Sequence, residues 1–116
     1  VRIEWIKSDG HTPGMMVSRI NLPGEIIYFV GDMAPGHEWI NLPITMGYDR
    51  FAEALIDEKK SVFQRIVDED AWVFYTHDSQ YAVSKLVFNE QKKRFIPVSM
   101  VDRFTKVKSL KELMTI

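Results

Sequence analysis

The chain has 116 residues, the length of one domain, and a chain of this size is expected to bury roughly two thirds of its unfolded surface. With 46% hydrophobic and 27% charged residues, its composition is that of an ordinary globular protein and excludes a disordered or fibrous one. The net charge of -1 gives no general attraction to nucleic acid or to an anionic membrane. Because there is no cysteine, disulfides, thiolate zinc sites and cysteine nucleophiles are excluded, and nitrogen and oxygen must hold any metal.

Targeting signals are missing from the sequence. No apolar run approaches the ~20 residues that span a bilayer, and no basic region followed by an apolar stretch marks an export signal. We therefore expect a cytoplasmic location, with neither membrane nor nucleic acid among the partners. Residues 1–6 are already patterned as a strand, with no cap or linker before them, which favours a piece of a longer protein.

The first third of the chain predicts an antiparallel meander. Its strands are expected at residues 1–6, 15–20 and 25–32. Alternation in the first strand places Val1, Ile3 and Trp5 together on one half-buried face. The Pro and Gly of residues 21–24 suit a tight reversal between the second and third strands.

The middle of the chain predicts a long loop and then a helix. Pro and Gly are spread through residues 33–48, so an ordered loop is expected there, and loops of this length are often functional. Asp49 is placed to cap a helix that runs to about residue 68. Its apolar face is expected to contain Phe51, Ala52, Leu55, Ile56, Phe63, Ile66 and Val67. Lys59 and Lys60 interrupt that face, which predicts a kink or a fresh start near Asp57.

The last part of the chain returns to strands. Residues 71–76 are continuously apolar and predict a buried strand, after which Asp78 is expected to cap one short turn. Two runs, 83–90 and 94–98, predict a hairpin with a polar turn. Helical spacing recurs in residues 106–114. Together these elements predict a single α+β domain.

Three chemically capable side chains follow predicted strands or turns. Asp32 stands at the end of the third strand, His11 lies in a Gly/Pro turn, and His77 follows the apolar run at residues 71–76. Two imidazoles and one carboxylate form a metal-ligand set by residue type. Each also has a structural explanation, because turn histidines bond to backbone, strand-end aspartates cap turns, and His77 suits a helix start.

Four short motifs resemble the C-terminal half of the metallo-β-lactamase superfamily of hydrolases, over residues 1 to about 98. They are Gly-His-Thr-Pro-Gly at 10–14, Gly-Asp at 31–32, Gly-Tyr-Asp at 47–49 and His-Asp at 77–78. The resemblance implies half of a four-layer αββα sandwich, a mostly antiparallel sheet with flanking helices. Residues 1–116 would then be the C-terminal half of one metallo-β-lactamase-like domain.

The resemblance also implies roles for the three residues. His11 would ligate a first metal, Asp32 would bridge two metals as the catalytic carboxylate, and His77 would ligate the second. A metal-bound hydroxide would attack an ester, thioester, amide or phosphoester in a small-molecule substrate. Zinc is expected as one or two ions in the intact protein, and iron or manganese would suit the same ligands. Asp78 is expected to cap the next turn or to orient His77.

The signature His-x-His-x-Asp-His of the family, which supplies the other ligands, would lie upstream of His11. The ten residues before His11 contain no histidine. We therefore expect this chain alone to hold no metal and to be inactive, and the missing N-terminal half to be its partner. Surface covered by that half is expected to include apolar residues such as Trp5 and Phe29, so the isolated piece should self-associate.

Two residues are weaker candidates for the substrate cleft or for support of the ligands. His37 and its neighbour Glu38 lie in the long loop, where a cleft or packing role is favoured over ligation. Tyr48 suits either the cleft or a packed position with a satisfied hydroxyl. Two other functions stay open: a non-catalytic binding module that keeps the fold, and a mononuclear-iron oxygenase of the same superfamily.

Overall fold

The computed structural model describes residues 1–47 and 49–102. Its strands are β1 (Arg2–Ser8), β2 (Met15–Leu22), β3 (Glu25–Phe29), β4 (Trp72–Phe74), β5 (Val83–Asn89) and β6 (Arg94–Val101). One α-helix, α1 (Ala52–Asp68), lies between β3 and β4. Two short 3-10 turns precede it, Gly31–Met33 and His37–Ile40. No helix in this described part of the chain is long and apolar enough to cross a lipid bilayer.

The six strands form one sheet whose spatial order follows the sequence, from β1 to β6. All neighbouring pairs are antiparallel except β3 and β4, which are parallel. A parallel pair needs a long crossover connection, and α1 with its preceding loop supplies it. The predicted meander and the predicted final hairpin are confirmed, and so is the α+β class with a mostly antiparallel sheet.

One face of the sheet forms the core against α1. Register places Tyr28 opposite Val73, and Val73 opposite Ser84, so these side chains point to the same face, where all three are fully buried. From α1, Phe63 and Ile66 are also fully buried. The apolar spacing of the helix therefore covers only one side of the sheet.

The opposite face of the sheet is largely open. Trp5 pairs with Ser18, Ser18 pairs with Phe29, and Phe29 pairs with Phe74, so these residues form one row across four strands. Trp5 is 65% exposed. Phe29 is 40% exposed, although the Phe29 ring stacks on the Phe74 ring with 5.6 Å between the ring centroids. The first-strand face was predicted to be half-buried, and the described residues leave it exposed instead. We call this surface the open sheet face.

Two predictions about the helix were wrong. Asp49 does not cap it, because α1 begins at Ala52 with Phe51 in the cap position and no side-chain cap bond. The helix also runs through Lys59 and Lys60 as one 17-residue element without a fresh start near Asp57. Lys59 does not break the apolar face because its side chain is itself buried.

Strand ends differ slightly from the predicted bounds. β3 stops at Phe29, and Gly31 then adopts a positive φ of 55°, a conformation that side chains other than glycine rarely accept. Asp32 consequently lies in the 3-10 turn that follows the strand, close to the predicted strand end. The helix predicted at residues 106–114, and Tyr48, lie outside the described residues.

Candidate metal centre

The parallel pairing of β3 and β4 brings two of the three predicted ligands to the same edge of the sheet. Phe29 and Phe74, near the ends of these strands, are register partners. Asp32 follows Phe29 by three residues, and His77 follows Phe74 by the same number. Because the strands run in one direction, both side chains leave the sheet at its carboxyl edge.

The turn that carries His11 joins β1 to β2. It lies at the same edge of the sheet because β2 runs antiparallel to β3. Gly10 packs directly on α1, where a Cβ atom would lie only 2.5 Å from the Leu55 Cα atom, so glycine is required for this approach. The Phe51 N–H donates to the Gly10 carbonyl at 2.8 Å. Glu58 accepts from the Gly10 N–H at 3.0 Å and from the Ser8 hydroxyl at 2.8 Å. The turn is therefore attached to the helix through both backbone and side chain.

Asp32 lies between the two histidines and turns one oxygen toward each. Its Oδ2 is 3.3 Å from the His11 Nε2, and its Oδ1 is 3.7 Å from the His77 Nε2. Two ligand atoms on one tetrahedral zinc stand ~3.4 Å apart, because each bond is ~2.0–2.1 Å long. Charge-assisted hydrogen bonds are shorter, at about 2.7–2.9 Å. Both separations around Asp32 are longer than such a hydrogen bond, and the one to His11 is close to the spacing of two ligands on one zinc ion.

The other nitrogen of His11 is held by Asp49, which the sequence analysis assigned to a helix cap instead. The His11 Nδ1 donates to the Asp49 Oδ1 at 2.6 Å, and the Asp49 side chain is only 1% exposed. The second Asp49 oxygen accepts from the Met46 N–H at 2.7 Å. A carboxylate on the far nitrogen of a ligand histidine fixes its tautomer and orientation. The contact with Asp49 leaves the His11 Nε2 on the side of Asp32.

The cluster of His11, Asp32 and His77 is a candidate for part of a metal site. Within residues 1–47 and 49–102, no group of three or more His, Cys, Asp or Glu side chains is arranged to hold a metal ion by itself. The donor types and the separations fit zinc, iron or manganese, but the number of ligands is too small for a closed site. His77 is 71% exposed and Asp32 is 43% exposed, so the cluster is open toward solvent.

A second histidine–carboxylate pair stands next to the cluster. The His37 Nδ1 donates to the Asp78 Oδ2 at 2.5 Å, and the His37 backbone N–H donates to the same oxygen at 2.8 Å. The other Asp78 oxygen accepts the N–H groups of Gln80 and Tyr81, which confirms the predicted cap. Every side-chain hydrogen bond that Asp78 makes to the described residues goes to these three, so Asp78 orients His37 rather than the His77 ring.

The electrostatics of this second pair are set by the bonds to Asp78. Burial by itself raises the pKa of the Asp78 carboxyl, but the hydrogen bonds from His37 and from two backbone N–H groups outweigh it and hold the pKa at about 2. The carboxylate therefore accepts, and the His37 Nδ1 carries the proton. A cavity of about 190 Å³ lies beside the pair, lined by residues 36–39 and 77–79. His37 and His77 thus border the same cavity.

The fold and the cluster together define the class of protein to which the chain is similar. No protein-family model matches the chain, and no curated protein sequence matches it. Solved structures do match, among them a probable metal-dependent hydrolase, a hydrolase of the β-lactamase superfamily and a dizinc lactonase. The resemblance to the metallo-β-lactamase fold predicted from the four motifs is confirmed, and the chain has part of that fold.

Three of these structures illustrate the likeness. A probable metal-dependent hydrolase from Staphylococcus aureus has a TM-score of 0.75 at 23% identity, over 90% of this chain and 36% of the other. The hydrolase AbOPH of the β-lactamase superfamily has a TM-score of 0.73 at 18% identity, over 90% and 35%. AidC, a dizinc quorum-quenching lactonase in complex with the product N-hexanoyl-L-homoserine, has a TM-score of 0.71 at 18% identity, over 90% and 35%. The chain therefore spans about a third of the length of the structures that it matches.

Proposed function

We propose that this chain is the C-terminal half of a metal-dependent hydrolase of the metallo-β-lactamase type. One observation carries the proposal: Asp32 turns one oxygen toward each of two histidine Nε2 atoms, at separations of 3.3 and 3.7 Å, on the edge where two parallel strands end. The fold shared with metal-dependent hydrolases supports it. The reaction class is hydrolysis of an ester, thioester, amide or phosphoester.

The side chains of the cluster have separate roles in this proposal. His11 would hold one ion and His77 a second, with Asp32 between them. Asp49 keeps the proton of His11 on Nδ1, so that Nε2 is available as a ligand. Metal ions at this place would polarise the substrate carbonyl or phosphoryl group and lower the pKa of water. Zinc is proposed as the metal, as in the dizinc lactonase that the chain resembles, with iron or manganese as the alternatives.

The cavity beside His37 is proposed as part of the substrate cleft. His77 and His37 both border it, so a small molecule bound at the metal would reach His37. Because Asp78 holds Nδ1, the His37 ring is fixed in orientation, and Tyr81 packs edge-on against it at 5.0 Å between ring centroids. A fixed imidazole at this place would orient the substrate. Tyr48, outside the described residues, stays a prediction for the same cleft.

The remaining ligands are proposed to come from the N-terminal half of the same domain. That half would also cover the open sheet face, where Trp5 and Phe29 are exposed, because an αββα sandwich packs two sheets against each other. Residues 1–116 alone are therefore proposed to be inactive. Steady hydrolysis by this isolated stretch, abolished by His11→Ala, would contradict that proposal.

Metal analysis of ligand variants tests the function. In the complete protein that contains these residues, His11→Ala and His77→Ala should each lower the metal content per molecule. His37→Ala is the matched control, since its ring bonds to Asp78 rather than to the cluster, and it should keep the metal. Hydrolysis of a panel of lactone, thioester, amide and phosphotriester substrates should then depend on His11 and His77.

The other outcomes separate the alternatives. A metal content that neither His11→Ala nor His77→Ala changes would overturn the proposed site. Bound metal without hydrolysis of any substrate in the panel would favour the non-catalytic module. Iron with substrate-dependent oxygen uptake would favour the mononuclear oxygenase.

A further inference from the structure

Lys59 is a fully buried lysine in the middle of α1. Its ammonium donates to the Ile44 carbonyl at 2.8 Å and lies 3.4 Å from the Leu42 carbonyl, both in the loop before the helix. Burial of a charged group is costly unless hydrogen bonds compensate for the lost water. The position is occupied by a charged residue although neighbouring inward positions such as Leu55 and Phe63 are apolar, so packing alone does not explain it.

The carbonyls that Lys59 binds belong to a loop that leads directly to Asp49. The Ile44 N–H donates to the Asn41 carbonyl at 3.0 Å and closes one turn. The Asp49 N–H donates to the Met46 carbonyl at 3.0 Å, and the Met46 N–H donates back to the Asp49 carboxylate at 2.7 Å, which closes a second turn. Two consecutive turns therefore connect the ammonium to the carboxylate that holds His11.

Glu58, the residue before Lys59, binds residues 8–10, the segment that leads into His11. Its carboxylate accepts from the Ser8 hydroxyl and from the N–H groups of Asp9 and Gly10, at 2.8, 3.2 and 3.0 Å. Glu58 and Lys59 are adjacent on one helix but attach to different segments. Through these two residues, α1 holds both the turn that carries His11 and the loop that carries Asp49, the partner of the His11 Nδ1.

We propose that Lys59 is a positioning residue for the candidate metal centre. Its buried ammonium fixes the loop at residues 42–44, the following turn places Asp49, and Asp49 orients the His11 ring toward Asp32. The consequence for metal binding rests on the proposed function. The geometry itself is a property of the metal-free chain and is tested without metal.

The charge state of Lys59 agrees with this role. Burial lowers the pKa of Lys59, and the attraction of Asp49 opposes this effect, with a resulting pKa of about 8. At neutral pH the side chain is therefore largely an ammonium, which donates stronger hydrogen bonds to carbonyls than a neutral amine does.

The test compares Lys59→Met with Lys60→Met in the complete protein, kept metal-free with a chelator. Lys60 is the matched control, because it is the next residue of the same helix and is exposed. Hydrogen exchange of peptides covering residues 41–51 should become about tenfold faster or more in Lys59→Met, the effect of losing a hydrogen bond to a charged group. Exchange in β5 and β6 should not change, and Lys60→Met should resemble the wild type.

A second readout follows the His11 ring itself. In protein labelled with ¹⁵N-histidine, the His11 signals are assigned by their absence in His11→Ala. Lys59→Met should shift these signals away from the form protonated at Nδ1, whereas a purely structural lysine would leave them unchanged. Replacing a buried charge with an apolar side chain of similar size is often neutral for stability, so Lys59→Met is expected to fold.

Unchanged exchange at residues 41–51 together with unchanged His11 signals in Lys59→Met would overturn the proposal. If that variant does not fold, the wild type decides: the proposal requires protection of the Ile44 and Met46 amides, whose hydrogen bonds close the two turns, and exchange of both at the rate of an unfolded peptide would overturn it. A metal-free His11 ring that responds to Lys59→Met in a protein that binds no metal would uphold the positioning role and refute the proposed function, so the two failures are distinguishable.

Discussion

The two ring nitrogens of His11 face two different carboxylates, Asp49 and Asp32. Its Nδ1 lies 2.6 Å from the Asp49 Oδ1, a hydrogen-bond distance, whereas its Nε2 lies 3.3 Å from the Asp32 Oδ2, the separation of two ligands on one ion. The two carboxylates are chemically equal but differ in burial, because Asp49 is enclosed and Asp32 is half-exposed. Burial therefore distinguishes Asp49, which orients the His11 ring, from Asp32, which is proposed to bridge two metal ions.

Asp49→Asn should weaken metal binding without removing a ligand. The amide keeps the shape of the carboxylate but loses the negative charge that stabilises the Nδ1–H of His11. Loss of such a partner typically lowers metal affinity by about 10–100-fold. A competition titration of the complete protein with a chromophoric chelator measures this. Asp57→Asn, an exposed helix carboxylate, is the control, and an unchanged affinity in Asp49→Asn would show that His11 does not need this partner.

At the scale of elements, α1 is the part from which the site is held. It covers the sheet with its apolar side, binds the His11 turn through Glu58, and binds the long loop through Lys59. The parallel pairing of β3 and β4 exists because the chain passes through α1 between them. The candidate metal centre is therefore supported by a helix, α1, rather than by the loops that carry the candidate ligands.

Because the His11 turn packs closely on α1, one added methyl group at Gly10 should strongly lower the stability of the fold. In Gly10→Ala the new Cβ would stand 2.5 Å from both the Cα and Cβ of Leu55, a distance at which the backbone must move. We expect a loss of stability of about 1–3 kcal/mol or more, typical of overpacking. Urea unfolding followed by circular dichroism measures it.

Gly47→Ala serves as the control for that measurement. A Cβ at Gly47 meets no atom of residues 1–47 and 49–102 within 4 Å, and the residue does not have a positive φ. Its free energy of unfolding should stay within about 0.5 kcal/mol of the wild type, as for ordinary surface substitutions. Equal effects of the two alanines would argue against close packing of the turn on the helix.

At the scale of the whole molecule, the described residues form a sheet that is covered on one side only. The row from Trp5 to Phe74 crosses four strands on the open sheet face, and Ile3 and Met16 are exposed there as well. Exposed apolar patches of this kind usually mark interfaces. The candidate metal centre and the open sheet face are both exposed in the described residues, and the N-terminal half is proposed to cover both.

Residues 1–116, produced alone, should self-associate through the open sheet face. Met16→Lys places a charge on the exposed apolar surface and should shift sedimentation toward the monomer. Gln64→Lys makes the same charge change on the solvent side of α1 and should leave association as in the wild type. A clean monomer of the unmodified stretch at high concentration, seen by light scattering or sedimentation, would contradict the expectation.

Much of the local structure was predictable because it depends on nearby residues. Alternation predicted the first strand and apolar runs predicted β3 and β4. The Pro-Gly turn predicted the reversal between β2 and β3, and Asp78 was recognised as a cap from its position. The partner of Asp49 was not predictable, because His11 is 38 residues away and an aspartate before a helix fits a cap equally well. Lys59 was misread for the same reason, since the carbonyls that make its burial tolerable lie in another segment.

Anchoring of Asp32 and His77 to two neighbouring strand ends has a consequence for how such a protein can diversify. The positions of these two candidate ligands are set by β3 and β4, whereas the cavity wall at residues 36–39 belongs to the connection between the strands. Insertions or deletions in that wall would reshape what the cavity admits without shifting either strand end. The two strand ends that carry the candidate ligands can therefore stay constant while residues 36–39 change to admit a new substrate.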